Sequence, residues 1–290
     1  MNIKSQEFQL AIRDIKNGLP LYNCKNELVK FSFIKNPLLR WLADPFLFEL
    51  DGKHYIFAES ASRITGKGKL IYCEIDLNNI AKCKWKKCMD KKFHLSFPNV
   101  YVQNGSIFML PETYQDNCLA KYVLKEKNDL SSWAKSTEIV SDKMLVDTVL
   151  FGDNYITYDI SSEVYSLRLL SSNGDFLDQI NDTKLSLRPA GKIFVDNDKT
   201  IFVSQNCKDL YGCGLFFNYL SVNKNKMEIN AFCSIDFQDL NFIFNKKNFV
   251  GIHTYNFDSK FEIIDVRVEK FNIFGFLGKI FDKLNSKHQN

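Results

Sequence analysis

The sequence is poor in histidine and has no long apolar run. It contains four histidines, and none of them stands at zinc-finger spacing from a cysteine. Cys83 and Cys88 do not form a Cys-X-X-Cys pair, so a structural zinc site is not expected. No segment reaches the roughly 18 consecutive apolar residues that a transmembrane helix requires.

A signal peptide is also missing from the first twenty residues. They alternate charged and apolar positions and contain no continuous apolar core. The eight cysteines are therefore expected to be reduced and to pack as small apolar side chains in a cytoplasmic protein.

A nucleic-acid footprint is not visible either. The net charge is +4, and the lysines are spread along the chain without an arginine-rich cluster interleaved with aromatics. Nucleic acid is therefore not expected as a partner.

Aromatic residues are abundant, by contrast. They make up 14% of the 290 residues and include 26 Phe and 12 Tyr. Flat, stiff side chains suit a pleated, half-buried surface, which favours strands over helices. An all-β fold is the first expectation.

One hairpin pattern recurs five times along the chain. Each copy has a turn flanked by alternating apolar residues, and Asp51-Gly52 and Asn104-Gly105 are preferred pairs for a two-residue type I′ turn. The five copies are FLFELDGKHYIFAES, NVYVQNGSIFMLPET, TVLFGDNYITYDI, GKIFVDNDKTIFVSQ and NFIFNKKNFVGIHTYN.

The spacing of these hairpins predicts a five-bladed β-propeller. The turn centres lie near residues 52, 105, 153, 197 and 246, and a further strand-like run follows each of the first four hairpins. The fifth blade is completed by FEIIDVRVEK near the C-terminus or by an N-terminal strand. A β-sandwich and a right-handed β-helix are the rival folds, but sandwiches lack so regular a repeat and β-helix rungs are shorter.

Three regions follow from this interpretation. Residues 1–34 form an N-terminal helical or closing segment, residues 35–269 the propeller, and residues 270–290 a basic amphipathic tail. Short helical segments are thus expected at the two ends of an otherwise all-β chain.

Polar residues stand at the hairpin ends, which share one edge of each antiparallel sheet. Because blades are arranged radially, these ends should open on one face around the central channel. Four of the six prolines stand at the same ends, where they fix the direction of the chain. The candidate site residues are Asp44, Glu59, His94, Glu112, Asp147, Arg188, Gln205, Tyr211 and His253.

Carboxylates presented from several blades to one cavity suit glycosidic-bond chemistry. One carboxyl group must donate a proton while another acts as base, nucleophile or charge stabiliser. Arg188 can bind a carboxylate or phosphate bidentately, and a tyrosine can supply a platform for a sugar face. Taken singly, each residue also has a plain structural interpretation as a turn cap, a lysine partner or a clamp before proline.

Six short motifs resemble one known domain. They are WLADPFLFE (41–49), HLSFP (94–98), LPET (110–113), DTVLF (147–151), RPAG (188–191) and HTYN (253–256). In this order, over roughly residues 35–260, they resemble the N-terminal domain of glucosamine inositolphosphorylceramide transferases. That domain is similar in turn to the five-bladed arabinanase/β-xylosidase and invertase/levansucrase glycosidases.

The resemblance implies roles for three carboxyl groups. Asp44 would be the base or nucleophile, Asp147 a stabilising or pKa-tuning carboxylate, and Glu112 the acid. Glu59, His94, Arg188, Gln205, Tyr211 and His253 would bind substrate.

Three functions stay open at this point. A glycosyltransferase of bacterial surface polysaccharide or glycolipid synthesis, acting on a sugar donor that could be a furanose, is the first. A furanosidase-like hydrolase and a non-catalytic glycan-binding propeller are the others. No cofactor is expected beyond the activated sugar donor. Several carboxylates around a central channel could bind a divalent cation such as Ca²⁺, but no metal site is assigned, because no loop carries alternating Asp ligands.

The tail bears on localisation and partners. Ile273, Leu277, Ile280, Phe281 and Leu284 stand at helical spacing with lysines between them. Such a helix could rest on the inner face of an anionic membrane, or it could pack against a blade of its own propeller. A sugar donor and a glycan or glycolipid acceptor are the expected partners.

Overall fold

The fold is a five-bladed β-propeller, as the hairpin repeat predicts. The structure is a computed structural model that describes residues 4–15, 20–23, 28–208, 210–245 and 248–271. Within these residues the chain forms five four-stranded sheets, and every strand pairing is antiparallel. Of the tail predicted for residues 270–290, residues 272–290 lie outside the described residues, and residues 270 and 271 belong to the last strand.

Two N-terminal strands precede the first complete blade, and four blades then follow in chain order. The N-terminal strands are β1 (Lys4–Asp14) and β2 (Ser32–Phe33). Blade I consists of β3 (Arg40–Leu50), β4 (Lys53–Ser62), β5 (Gly68–Glu74) and β6 (Lys86–Met89). Blade II consists of β7 (Ser96–Gln103), β8 (Ser106–Glu112), β9 (Cys118–Leu124) and β10 (Trp133–Ser141).

Blades III and IV repeat this order from the channel outwards. Blade III consists of β11 (Leu145–Phe151), β12 (Asn154–Asp159), β13 (Ser166–Leu170) and β14 (Phe176–Asn181). Blade IV consists of β15 (Phe194–Asp196), β16 (Lys199–Asn206), β17 (Gly214–Asn223) and β18 (Lys226–Asp236).

Blade V joins the two ends of the chain. Its strands are β19 (Phe249–Phe257), β20 (Phe261–Phe271), β1 and β2, in that order. Strand β1 pairs with β20 along its whole length, from Lys4 opposite Phe271 to Asp14 opposite Phe261. Both closing elements predicted from the sequence are therefore used, and the ring takes in part of the 1–34 segment. Among the described residues of that segment, the 3₁₀ turn Leu21–Asn23 is helical.

The fifth hairpin prediction is wrong in its first strand. The residues before the expected turn form helix α1 (Phe237–Ile243), because Asp236 and Asp239 make a capping box at its start. The true hairpin of blade V is β19 and β20, with its turn at residues 258–260. His253 consequently lies in the innermost strand of its blade and not at the end of a second strand.

The blades pack through apolar side chains on both faces of their sheets. Phe46 of blade I contacts Phe97 of blade II edge-on, with ring centroids 4.7 Å apart, and both rings are fully buried. No helix among the described residues has the length and apolar content of a bilayer-spanning segment.

A buried charge cluster fastens the ring closure. Glu262 of β20 accepts a hydrogen bond from Arg13 of β1, from the Leu21 backbone N–H at 2.7 Å and from the Tyr255 hydroxyl. The Glu262 side chain is fully buried and that of Arg13 nearly so. Since a buried ion must be paired to be tolerated, this cluster fixes the register of the closing strands.

We expect Glu262→Gln to lower the free energy of unfolding by about 3 kcal/mol, because it removes the buried negative charge that pairs with the Arg13 guanidinium. Urea unfolding followed by tryptophan fluorescence measures this. Lys53→Gln is the control, since it breaks an exposed pair with Glu74 and should cost no more than about 0.5 kcal/mol. Equal losses in the two variants would contradict the account.

Candidate active site

The site originates in a β-bulge that recurs at one level of the propeller. The innermost strands of blades I, II, III and V shift register between residues 43 and 46, 96 and 99, 146 and 149, and 252 and 254. The bulged residues Asp44, Phe97 and Asp147 have positive φ values of 49°, 47° and 50°. Such a conformation is uncommon for residues other than glycine and occurs where a bulge redirects a side chain.

The second strands supply polar groups at the same level. Glu59 pairs with Ala43, Glu112 with Ser96 and Tyr158 with Val146, each one residue before the bulge. In blade IV the Gln205 backbone N–H donates to the Arg188 carbonyl at 2.7 Å. The repeated hairpin therefore places four polar side chains at equivalent positions around the channel.

These residues surround a cavity of about 300 Å³. Of the predicted site residues, seven line it: Asp44, Glu59, His94, Glu112, Arg188, Tyr211 and His253. The apolar part of the wall includes Phe8, Trp41, Tyr114, Val146 and Ile160. Asp147 and Gln205 do not line the cavity but lie directly behind Arg188.

Asp44 is held as a charged carboxylate. Its two oxygens accept hydrogen bonds from the Thr254 hydroxyl at 2.9 Å and the Phe97 backbone N–H at 3.2 Å. Burial by itself would raise the pKa of Asp44, but His253, Thr254 and Arg188 outweigh it and hold the pKa below its usual value.

His253 is the matching cation. Its Nδ1 lies 3.1 Å from a carboxylate oxygen of both Asp44 and Asp265, and its Nε2 lies 2.5 Å from the Tyr211 hydroxyl. Burial would lower the pKa of His253, but Tyr211, Asp265 and Asp44 raise it well above its usual value. These contacts favour the protonated, cationic form of the His253 ring.

Arg188 is the second cation and joins two carboxyl groups. Its Nε donates to Asp147, and its Nη2 donates to Glu112 at 3.3 Å. The Gln205 side-chain amide donates to the same Asp147 oxygen at 3.2 Å. The guanidinium also lies over the Tyr211 ring, 5.2 Å from its centroid, which gives a cation–π contact.

The pKa values of the two glutamates are shifted in the opposite direction to that of Asp44. Burial, followed by the charge on Asp147, raises the pKa of Glu112 well above its usual value in spite of Arg188. Burial, followed by the charge on Asp44, does the same for Glu59. The cavity therefore places one ionised carboxylate beside two carboxyl groups that tend to keep their protons.

His94 stands at the Glu59 side of the cavity. Its Nδ1 accepts from the Gly68 backbone N–H at 3.0 Å, which leaves the proton of the neutral ring on Nε2. That nitrogen lies 3.3 Å from Glu59 Oε1, a buried oxygen that otherwise lacks a hydrogen-bond partner among the described residues. Gly68 is required here, because a Cβ would lie 2.5 Å from that oxygen.

Sequence reasoning missed Asp265 and Thr254. Asp265 is fully buried in β20 and accepts from the backbone N–H groups of Asp44 at 2.9 Å and Thr254 at 2.6 Å. The available signal was its place in FEIIDVRVEK, where one acidic residue interrupts an apolar strand core. Because the sequence pattern predicts the hairpin of blade V one strand too early, it assigns no site role to Asp265.

Asp44, His253 and Asp265 also have the ligand types of a metal site. One donor atom from each lies within 4.8 Å of the other two. The His253 Nδ1 that would ligate an ion is, however, the atom that contacts both carboxylates, so its proton and an ion would exclude each other.

Comparison with known proteins identifies the domain. The family described as "Glucosamine inositolphosphorylceramide transferase 1, N-terminal" matches residues 19–260. The chain belongs to this family.

A plant relative carries the same domain within a far longer protein. Glucosamine inositolphosphorylceramide transferase 1 of Arabidopsis thaliana is 33% identical over 127 residues. This match takes in 42% of the chain but only 16% of the length of the plant protein. The family match over residues 19–260 establishes membership. The plant match covers only a small part of that protein, so its activity does not carry over to this chain.

Solved structures with the same fold are glycosidases. The catalytic domain of a family 62 α-L-arabinofuranosidase from Coprinopsis cinerea has a TM-score of 0.51 and 11% identity, covering 78% of this chain and 90% of that domain. A family 43 β-xylosidase/α-arabinofuranosidase from a compost microbial metagenome has the same score and identity, covering 83% and 94%. At this identity the likeness shows the shared fold alone.

The raised pKa of Glu112 generates a stability prediction. A carboxyl group whose pKa is higher in the folded state stabilises the fold below about pH 4.5, and this contribution falls as the pH rises toward the folded pKa. Glu112→Gln should therefore unfold at a higher temperature than wild type at pH 7 to 8, with a gain of about 1 kcal/mol or more.

Thermal unfolding between pH 4 and pH 8 checks this. The difference between variant and wild type should grow with pH, whereas Glu228→Gln, at an exposed position of β18, should show no such trend. A Glu112→Gln variant that becomes relatively less stable as the pH rises would show that Glu112 is stabilised as a carboxylate.

Proposed function

We propose that this domain transfers a sugar from an activated donor to a glycan or glycolipid acceptor. The observation that carries the proposal is the arrangement of three buried carboxyl groups, Asp44, Glu59 and Glu112, around one cavity. Asp44 is held charged, while Glu112 and Glu59 are held toward their protonated forms. Two carboxyl groups with pKa values pushed apart are the usual arrangement for acid–base chemistry at a glycosidic bond.

In this proposal each group acts on a defined part of the reaction. Asp44 accepts the proton of the acceptor hydroxyl or stabilises positive charge on the sugar ring, and Glu112 donates a proton to the leaving oxygen. Arg188 and His253 bring two positive charges to the same cavity and can bind a phosphate-bearing donor. Trp41 and Tyr114 offer aromatic surface against a sugar ring.

Family membership supports transfer over other reactions. The plant relative is named glucosamine inositolphosphorylceramide transferase 1, so a sugar and a glycolipid are the substrate classes we propose here. We place the reaction in bacterial surface polysaccharide or glycolipid synthesis, at the cytoplasmic face of the membrane. The activated donor is the only cosubstrate that the proposal requires.

A furanosidase-like hydrolase is the second candidate. The specific observation in its favour is the shared fold with two solved enzymes, both named for arabinofuranosidase activity. The same similarity supports a furanose as the transferred sugar. Water would then suffice as the acceptor.

The test compares the wild-type chain with Asp44→Asn on pooled nucleotide-sugars and furanosides, with and without a lipid-linked acceptor, by mass spectrometry. We expect wild type to form a glycosylated acceptor and the variant to be slower by about 100-fold or more. Asp51→Asn is the matched control, because Asp51 has a similar positive φ of 50° but lies in the exposed turn between β3 and β4. It should keep full activity.

The other outcomes separate the alternatives. Release of sugar to water alone would favour the hydrolase. Ligand-induced thermal shifts without turnover of any donor would indicate a glycan-binding propeller and would contradict the transferase proposal. Equal rates in the Asp44→Asn and wild-type proteins would remove Asp44 from the chemistry.

A further inference from the structure

A second, smaller pocket lies beside the cavity, at the same edge of blade I. All four strands of the blade contribute to it at their ends or in the segments that adjoin them. The pocket has a volume of about 130 Å³ and is lined by Arg40, Ser62, Thr65, Lys67, Gly68, Lys69 and Asp90. We call it the Arg40 pocket.

Arg40 is fixed in this pocket by its own hydrogen bonds. Its Nε donates to the Ser60 hydroxyl at 2.7 Å, and its Nη2 donates to the carbonyls of Ser60 and of Lys67, the latter at 3.2 Å. Its Nη1 has no hydrogen-bond partner among the residues that the structure describes. The guanidinium is therefore held in place through two of its nitrogens, while the N–H groups of the third are available to a ligand.

Two hydroxyl groups at the turn between β4 and β5 have an unused proton. Ser62 Oγ accepts the backbone N–H groups of Ile64 and Thr65, both at 3.2 Å, and Thr65 Oγ1 accepts that of Lys67 at 3.3 Å. Within the described part of the chain, neither hydroxyl donates its own proton. Since a hydroxyl can accept and donate at once, both O–H groups remain able to donate to a bound group.

The Arg40 pocket carries an excess of positive charge. Asp90 is the one acid that lines it, and this carboxylate pairs with Lys67 at 3.0 Å. Arg40 and Lys69 form no ion pair with any described residue. Two uncompensated cations together with hydroxyl donors select an anion, and a phosphate group matches them because it offers several strong acceptor oxygens.

Gly68 separates the Arg40 pocket from the cavity. It lines the pocket, and its backbone N–H donates to Nδ1 of His94, which lines the cavity. Glu59 of the cavity is equally near, because a Cβ at Gly68 would lie 2.5 Å from its Oε1. A ligand in the cavity therefore has this cationic pocket as its direct neighbour.

We propose that the Arg40 pocket is a phosphate subsite, which holds a phosphate group of a substrate whose sugar lies in the cavity. The inference rests on the proposed function in one respect, namely that the cavity binds a sugar substrate. The phosphate belongs either to the activated donor or to the headgroup of a glycolipid acceptor, and kinetics separate these two sources.

Isothermal titration calorimetry of the full chain with inorganic phosphate tests the subsite without any sugar. Wild type should bind phosphate saturably, and Lys69→Gln should bind it about fivefold more weakly or worse, because it removes one of the two unpaired cations. Lys125→Gln is the matched control, since it removes the same charge from an exposed position in the turn between β9 and β10. It should bind like wild type, and both variants should keep the wild-type unfolding temperature.

Three results would overturn the subsite. The first is a wild-type affinity for phosphate weaker than about 10 mM. The second is equal binding of phosphate by the Lys69→Gln and Lys125→Gln variants, which would place the anion elsewhere on the surface. The third is binding of acetate as tight as that of phosphate, which would show that the pocket does not select a phosphate group.

Steady-state kinetics of Lys69→Gln separate this inference from the proposed function. A higher KM for the donor alone would assign the subsite to the donor phosphate, and a higher KM for the acceptor alone would assign it to the acceptor headgroup. Unchanged KM values for both substrates would contradict the subsite and leave the transferase proposal standing. Phosphate binding that depends on Lys69, without any sugar transfer, would contradict the transferase proposal alone.

Discussion

The site depends on the balance of charge among buried groups around the channel. Asp44, Asp147 and Asp265 are almost fully buried, and each contacts one of the two cations His253 and Arg188. A buried carboxylate without such a partner would be neutralised or would destabilise the fold. The β-bulges supply the geometry that this balance requires, because they turn Asp44 and Asp147 toward the cations. The two cations compensate Glu59 and Glu112 less completely. Their pKa values are therefore raised, which favours their protonated forms.

Much of this arrangement is visible in the sequence because the hairpin repeats. Turn pairs such as Asp51-Gly52 define the blade spacing, and equivalent hairpin ends bring Asp44, Glu59, Glu112 and Arg188 to one face. Blade V departs from the repeated hairpin pattern because of one local feature. The capping box at Asp236 begins helix α1 where the sequence pattern predicts a strand. His253 therefore lies in the first strand of the blade V hairpin and not in its second. Asp265 and the direction of each pKa shift depend on burial and on contacts between distant blades, which the pattern of one chain does not contain.

The same geometry connects the site to ring closure. The cavity opens at the strand ends of the propeller, and the loop between β16 and β17 at those ends carries Tyr211. Ring closure by β1 and β20 is part of this face as well, since Phe8 of β1 lines the cavity and packs on the His253 ring with centroids 4.8 Å apart. The strands that close the ring therefore also build part of the site, although their sequences lie far apart along the chain.

The most direct test of the central claim is a carboxyl titration of the folded protein. Protein labelled with ¹³C in the side-chain carboxyl groups of Asp and Glu would be followed by NMR from pH 3 to pH 9, with Asp44→Asn and Glu112→Gln spectra used for assignment. The account predicts that Asp44 titrates below the usual range for aspartate and that Glu112 and Glu59 titrate well above that for glutamate. Three carboxyl groups that titrate together near pH 4 would contradict it, because the cavity would then hold no divided acid and base.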